Sequence, residues 1–126
     1  MARRVLVVDD NPALIGLIAD VLTQAGYTVI SAEDGQAGLA AVDEHHPDLV
    51  ILDLSMPVMT GLQVLRTLRS CPETQYLPVI VLTGRDGAAD MLDCWMGGVD
   101  RYLVKPCSME ELLNAVRQML GEPARR

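Results

Sequence analysis

Apolar runs of strand length alternate along this chain with stretches of helical character, and this alternation limits the folds open to it more than any other feature. The runs are rich in valine, isoleucine and leucine, as strands covered on both faces are. In chain order they read RRVLVVD, YTVISA, DLVILDL, LPVIVLT and DRYLVK. The helical stretches run from Pro12 to Gly26 and then as GQAGLAAVDEH, GLQVLRTLRS, GAADMLDCWM and SMEELLNAVRQML. These alternating units predict an α/β fold with a parallel five-stranded sheet between two layers of helices.

The length of the chain fits a single domain. Its 126 residues, of which 50% are hydrophobic, suffice for one buried core. No internal repeat or low-complexity segment interrupts them. We therefore expect one domain over residues 1–121, and the closing residues 122–126 fit either a frayed tail or the start of a linker.

The charge balance is acidic, with a formal net charge of −7. Because no local basic patch offsets it, direct binding to the phosphate backbone of a nucleic acid is not expected. Arg3 and Arg4 precede only the four apolar residues VLVV before Asp9, and a signal peptide needs at least ~7. No run approaches the ~18 apolar residues of a membrane span. The sequence therefore predicts a cytoplasmic protein that does not associate with membranes.

Polar side chains stand where four of the predicted strands end. Asp9 and Asp10 follow the first strand, Asp53 ends the third, Thr83 the fourth and Lys105 the fifth. In a parallel sheet these ends meet at one edge, which is where such folds bind ligands. Each residue alone fits an ordinary turn or helix cap. Together they are harder to explain structurally, because neighbouring carboxylates repel unless a cation joins them or one is protonated.

The residue types indicate which cation this edge would bind and which reaction it would support. Carboxylates with backbone carbonyl and water suit Mg²⁺, or Mn²⁺ as an alternative, whereas zinc would draw on His or Cys. A divalent ion opposite Lys105 makes a pocket that neutralises a phosphoryl group, to which Thr83 would donate. Asp53 stands by itself after the central strand and is the best nucleophile for phosphorus, while Asp9 and Asp10 pair as metal ligands.

Four motifs, in order, resemble the receiver domain of two-component response regulators: VLVVDD, LVILDLSMPVMTG, VIVLTG and YLVKP. The match covers about residues 4–120. The resemblance implies a flavodoxin-like (βα)5 fold with strand order 2-1-3-4-5 and a phosphoacceptor at Asp53. It implies that Mg²⁺ is bound by Asp9, Asp10, Asp53 and the backbone carbonyl of Ser55.

The resemblance also implies a switch. Thr83 and Lys105 match the positions that contact the phosphoryl group, and Tyr102 matches an aromatic residue that changes rotamer on activation. The surface of the fourth helix, fifth strand and fifth helix is then where a downstream protein, an effector domain or a second receiver docks. The phosphoryl donor would be a histidine kinase or a histidine phosphotransfer protein. From the residues alone, Tyr102 fits a half-buried strand aromatic equally well.

Some positions depart from common choices in that family. Cys107 follows the Lys-Pro pair where an aromatic is frequent, and Gly98 stands where alanine is usual. Ser55 and Arg85 occupy positions that tune dephosphorylation, so the lifetime of the phosphorylated state does not carry over. Trp95, on the fourth predicted helix, fits either the core or a partner contact.

Other functions are less well supported. A flavin-binding electron carrier is disfavoured because only 3% of the residues are aromatic and none is Phe. A nucleotide hydrolase would need a phosphate-binding loop such as G-x-x-x-x-G-K-[ST], which the sequence lacks. An aspartyl phosphatase usually has a second aspartate two residues past the nucleophile, where Ser55 stands. We expect a switch that catalyses only its own phosphoryl transfer and slow dephosphorylation. The alternative is a receiver module of a larger regulator whose effector lies outside this chain.

Overall fold

The computed structural model describes residues 2–56, 58–84 and 88–121, without the side chains of residues 88–90. Arg85 and the tail 122–126, for which the sequence analysis made predictions, lie outside these ranges. The strands are β1 (Arg4–Val8), β2 (Thr28–Ala32), β3 (Leu49–Leu52), β4 (Val79–Thr83) and β5 (Arg101–Val104). The helices are α1 (Pro12–Gln24), α2 (Gly35–His45), α3 (Gly61–Ser70), α4 (Ala88–Met96) and α5 (Met109–Met119).

The strands form one parallel sheet in the order β2-β1-β3-β4-β5. This confirms the predicted fold class and strand order. All four residues of β3 are buried, as expected for the central strand of a sheet that is covered on both faces. No helix in the described ranges combines the length and apolar character that crossing a membrane requires.

Two apolar clusters fill the space between the sheet and its helices. Side chains alternate along each strand, so Leu6 and Val8 of β1 face one cluster while Val5 and Val7 face the other. The first cluster lies under α2, α3 and α4, and the second lies under α1 and α5. The sheet is therefore rigidly held from both sides, which fixes the positions of the residues that follow its strands.

The helices run antiparallel to the strands, so helix starts and strand ends share one edge of the sheet. At the opposite edge, Arg101 at the amino end of β5 donates through Nη1 to Oε1 of Gln118 in the last turn of α5, at 3.1 Å. We call the edge with the strand ends the carboxyl edge. Asn11 caps α1 there, with its side chain accepting from the amides of Ala13 and Leu14.

Candidate functional site

Three carboxylates converge at the carboxyl edge. Asp9 follows β1 and its amide donates to the carbonyl of Ala32 at 3.1 Å, while the amide of Asp53 donates to the carbonyl of Val8 at 3.0 Å. These ladder bonds hold both aspartates in register just beyond adjacent strands. Asp10 is the next residue along, and carboxylate oxygens of all three aspartates lie within 4.8 Å of one another. The structure thus brings together the three predicted acidic ligands.

The three carboxylates differ in exposure. Asp9 and Asp53 are 3% and 5% exposed, whereas Asp10 faces solvent. Oδ1 of Asp9 accepts from the amide of Asn11 at 2.9 Å, and Oδ1 of Asp53 accepts from the amide of Ser55 at 3.3 Å. One oxygen of each buried carboxylate is therefore oriented by a neighbouring amide. Asn11, whose side chain caps α1, thus also orients the carboxylate of Asp9 through its amide.

Lys105 completes the cluster from the far side of β4. Its amide donates to the carbonyl of Thr83 at 2.8 Å, and its Nζ lies 2.9 Å from Oδ2 of Asp9 and 3.7 Å from Oδ2 of Asp53. The three carboxylates and this ammonium sum formally to −2, from three negative charges and one positive. A hard divalent cation matches both the oxygen donors and that residual charge. The residues present therefore fit Mg²⁺, and Mn²⁺ has the same preference.

The loop after Asp53 is held against it by Gly61, the first residue of α3. The Gly61 amide donates to the carbonyl of Leu54 at 3.1 Å, and a Cβ at Gly61 would lie 2.8 Å from the Cα of Leu54 and closer still to the carbonyl oxygen of Asp53. Any side chain at position 61 would therefore displace the backbone of Asp53. The close approach of Gly61 to Asp53 depends on tertiary packing, which the sequence by itself does not reveal.

Thr83 and Tyr102 lie on the same face of the sheet. Thr83 is fully buried and pairs in register with Val104, while Tyr102 pairs with Val81. Tyr102 is half-buried and packs against the cluster beneath α2, α3 and α4. The structure thus brings Thr83 to the carboxyl edge with the carboxylates, and it places Tyr102 two residues back from that edge, on the side that α4 covers.

Trp95 lies on the outer side of α4 and is 51% exposed. Its interpretation as a core residue is therefore wrong, and the partner contact stays a prediction. Leu92, Met96 and Val104 are exposed apolar residues on α4 and β5. These four side chains give that surface an apolar character that is unusual for a solvent-facing helix.

The model of the response regulator receiver domain matches residues 5–117. The chain belongs to this family. The resemblance seen in the sequence motifs is thereby confirmed. Receiver domains generally bind Mg²⁺ through such residues, and Asp9, Asp10 and Asp53 supply the cluster here.

Curated relatives of this receiver are transcription regulators. It is 40% identical over 92% of its length to the probable transcriptional regulatory protein TcrX of Mycobacterium tuberculosis, and covers 49% of that protein. It is 42% identical over 90% of its length to the transcriptional regulatory protein KdpE of the same species, again covering 49%. The receiver thus spans about half the length of the curated relatives it matches.

Solved structures show the same fold. The chemotaxis protein CheY4 of Vibrio cholerae superposes with a TM-score of 0.90 at 31% identity, over 95% of this receiver and 100% of that chain. A CheY-like receiver domain protein from Methanospirillum hungatei superposes with a TM-score of 0.91 at 26% identity, over 96% and 95% of the two chains. The receiver therefore shares its fold with these solved proteins over nearly their whole length, while it matches only about half the length of its curated relatives.

Proposed function

We propose that this receiver is a phosphorylation-activated switch that accepts a phosphoryl group on Asp53. The observation that carries the proposal is the cluster itself, in which Asp9, Asp10 and Asp53 lie within 4.8 Å of one another beside the ammonium of Lys105. Asp53 is the acceptor because it follows the buried central strand and its backbone is fixed by Gly61. Such a pocket stabilises negative charge that develops on a transferring phosphoryl group.

The proposed transfer is a direct displacement on phosphorus. A carboxylate oxygen of Asp53 attacks the phosphorus of a phosphohistidine on the donor protein, the P–N bond breaks, and the imidazole nitrogen keeps the electron pair and takes up a proton. Lys105 and the hydroxyl of Thr83 then contact the new phosphoryl oxygens. Asp9, Asp10, Asp53 and the carbonyl of Ser55 would hold Mg²⁺, which neutralises charge on the phosphoryl group when bound.

The proposed donor is a histidine kinase or a histidine phosphotransfer protein. The reaction is confined to the receiver itself, which on this proposal catalyses its own phosphorylation and a slow hydrolysis but acts on no separate substrate. The proposed output surface consists of α4, β5 and α5, where Trp95, Leu92, Met96 and Val104 are exposed. Apolar side chains of this kind favour docking of a partner protein or a second receiver.

The same module would also serve within a larger regulator, and one observation favours this second candidate. Relatives named as transcription regulators are about twice the length that this receiver covers, with 49% of TcrX and of KdpE matched. DNA recognition in such a protein would belong to a further domain, since the receiver is acidic overall with a net charge of −7. Phosphorylation at Asp53 has the same role in both candidates.

The test of phosphoryl acceptance uses a small donor in place of the kinase. With Mg²⁺ and acetyl phosphate, intact-protein mass spectrometry should show one phosphoryl group that hydroxylamine removes. Asp53→Asn should not gain it, whereas the matched variant Asp48→Asn, at the opposite edge of the sheet, should gain it as the wild type does. No addition to the wild type, or undiminished addition to Asp53→Asn, would rule out the proposed acceptor.

A further inference from the structure

Arg69, near the end of α3, connects three other parts of the chain through its guanidinium. Its Nε donates to the carbonyl of Gly98 at 2.9 Å, Nη1 to the carbonyl of Thr74 at 3.2 Å, and Nη2 to Oδ2 of Asp100 at 3.0 Å. The side chain is only 17% exposed. These bonds are therefore partly shielded from water, and the planar guanidinium fixes their mutual geometry.

Asp100 carries this connection on to the sheet. Its Oδ2 also accepts from the amide of Val79 at 2.8 Å, and its own amide donates to the carbonyl of Val79 at 3.1 Å. Val79 is the fully buried first residue of β4. We call Arg69, Gly98, Asp100 and Val79 the Arg69 clamp, since together they fasten the segment after α4 to both α3 and the amino end of β4.

The end of α4 has the backbone that the clamp requires. Gly98 has φ +94°, its amide donates to the carbonyl of Trp95 at 3.2 Å, and the amide of Val99 donates to the carbonyl of Cys94 at 3.0 Å. These two bonds form a Schellman motif, which a glycine in the left-handed region completes. The glycine at position 98 thus has a structural reason.

The carboxyl end of α4 approaches side chains of α3 closely at two glycines. A Cβ added at Gly98 would lie 3.0 Å from Nε of Arg69, and one added at Gly97 would lie 3.2 Å from Cδ2 of Leu65. A side chain at either position would therefore require Arg69 or Leu65 to shift by a few tenths of an ångström. Backbone of the α4 end therefore rests directly on α3 side chains.

Residues 91–96, the part of α4 whose side chains are described, pack much less closely against the rest of the domain. Among its described side chains, those of residues 91–96, only Cys94 is buried, while Leu92, Trp95 and Met96 are exposed. Burial of apolar area, which supplies most of the stability of a surface helix, is thus small along the helix body. The hydrogen bond from Arg69 and the close contacts with α3 lie instead at Gly97 and Gly98.

We propose that the Arg69 clamp fixes the carboxyl end of α4 as a pivot, so that rearrangement of α4 on phosphorylation is a rotation about Gly98. This inference rests on the proposed function, because it concerns how a phosphoryl group at Asp53 changes α4. Arg69 is on this view a positioning residue for the output surface. Because α4 runs antiparallel to the strands, its amino end lies toward the carboxyl edge, whereas the clamped end lies beside Val79 at the opposite edge.

The test maps backbone amide shifts in ¹⁵N-labelled protein with Mg²⁺, before and after addition of beryllofluoride as a phosphoryl mimic. In the wild type we expect amides of residues 88–93 to shift at least threefold more than those of residues 97–100. In Arg69→Gln the second group should shift about as much as the first, since the pivot is lost. Arg66→Gln, an exposed arginine one turn earlier on α3, should keep the wild-type pattern.

Two outcomes separate failure of the pivot from failure of the proposed function. The pivot alone would be overturned if beryllofluoride shifted the amides around Asp53 but shifted residues 88–100 equally in the wild type. An unchanged pattern in Arg69→Gln would have the same consequence. No shifts at Asp53 would overturn the proposed function and the pivot with it. Should Arg69→Gln not fold, Asp100→Asn replaces it, because it keeps an acceptor for the amide of Val79 and weakens only the ionic contact. The shifts of residues 97–100 should then increase relative to those of residues 88–93, but less than in Arg69→Gln.

Discussion

The ammonium of Lys105 lies 2.9 Å from Oδ2 of Asp9, a residue near the other end of the sequence that follows β1, with β3 and β4 between the two strands. The pair is enclosed, with the Asp9 side chain 4% exposed and that of Lys105 28% exposed. Before any phosphoryl group arrives, the lysine is therefore already bound to a carboxylate. On the proposed function, a phosphoryl group at Asp53 would compete with Asp9 for this ammonium, and a metal ion on Asp9 would lower that competition.

Removing the lysine charge should destabilise the protein when no metal is bound. In Lys105→Met, Asp9 and Asp53 lose their cationic partner while remaining buried, and we expect a loss of about 2 kcal/mol in the free energy of unfolding. Mg²⁺ should recover most of that loss. Urea denaturation with and without Mg²⁺ measures both effects, with Arg66→Gln as the surface control. Equal stability of Lys105→Met and wild type in EDTA would contradict the proposed electrostatic role.

Mg²⁺ should stabilise the folded protein because Asp9, Asp10 and Asp53 converge in the folded chain and not in the unfolded chain. At a concentration a hundredfold above the dissociation constant, the gain should be ~2.7 kcal/mol, seen as a higher melting temperature. Asp10→Asn should weaken this gain and raise the stability of the metal-free protein, because it removes one of three clustered charges. A melting temperature that does not respond to Mg²⁺ in the wild type would argue against the metal site.

The fold and the meeting of the site residues at one edge were both predictable from the order of the strands along the sequence. A parallel sheet places all strand ends at one edge, so residue order along the chain determined which side chains meet. Contacts that depend on how helices pack were not predictable in this way. Nothing in the sequence near Arg69 indicates that it bonds Gly98 and Asp100, because the separations of 29 and 31 residues are closed only by tertiary packing.

The backbone of Val58 is strained. Its φ is +70°, in the left-handed region that a β-branched residue rarely adopts, and its side chain is 80% exposed. Val58→Asn should therefore stabilise the protein by about 1 kcal/mol, because asparagine tolerates this region. Val58→Ala serves as the control, since it removes the branch but keeps the Cβ, and should gain less. The measurement is the urea midpoint at unchanged slope. A midpoint lower than wild type for Val58→Asn would show that the valine side chain contributes contacts that outweigh the strain.

Thr83 should couple the phosphoryl group to the output surface. Binding of beryllofluoride is expected to change hydrogen exchange in residues 84–104, because the threonine hydroxyl is drawn toward the new acceptor oxygens. Thr83→Ala should lose this change while Asp53 is still phosphorylated by acetyl phosphate. The measurement is peptide-level hydrogen exchange of the wild type and of Thr83→Ala, each with and without beryllofluoride. The same exchange in both states of the wild type would leave Asp53 as an acceptor without a demonstrated output.

Cys107, two residues after Lys105, has a thiol whose pKa is raised by burial and by the nearby charge of Glu111. A higher pKa means less thiolate at a given pH, so the alkylation rate of Cys107 should begin to rise at a higher pH than that of a free thiol. Glu111→Gln should move this rise to lower pH, but not to the ordinary value, because burial remains. Peptide-resolved alkylation rates across pH measure the shift, and denatured protein gives the reference. Superimposable profiles for wild type and Glu111→Gln would exclude the contribution of the carboxylate.

The hydrogen bond between Arg101 and Gln118 has a consequence for how this receiver is combined with other modules. It places the end of α5 at the amino end of β5, so a segment joined after residue 121 starts about one strand length, roughly 16 Å, from the carboxyl edge. A module appended there would start away from Asp53 and would meet the side of the domain instead. Exchanging one such module for another would then require no change in the acidic cluster.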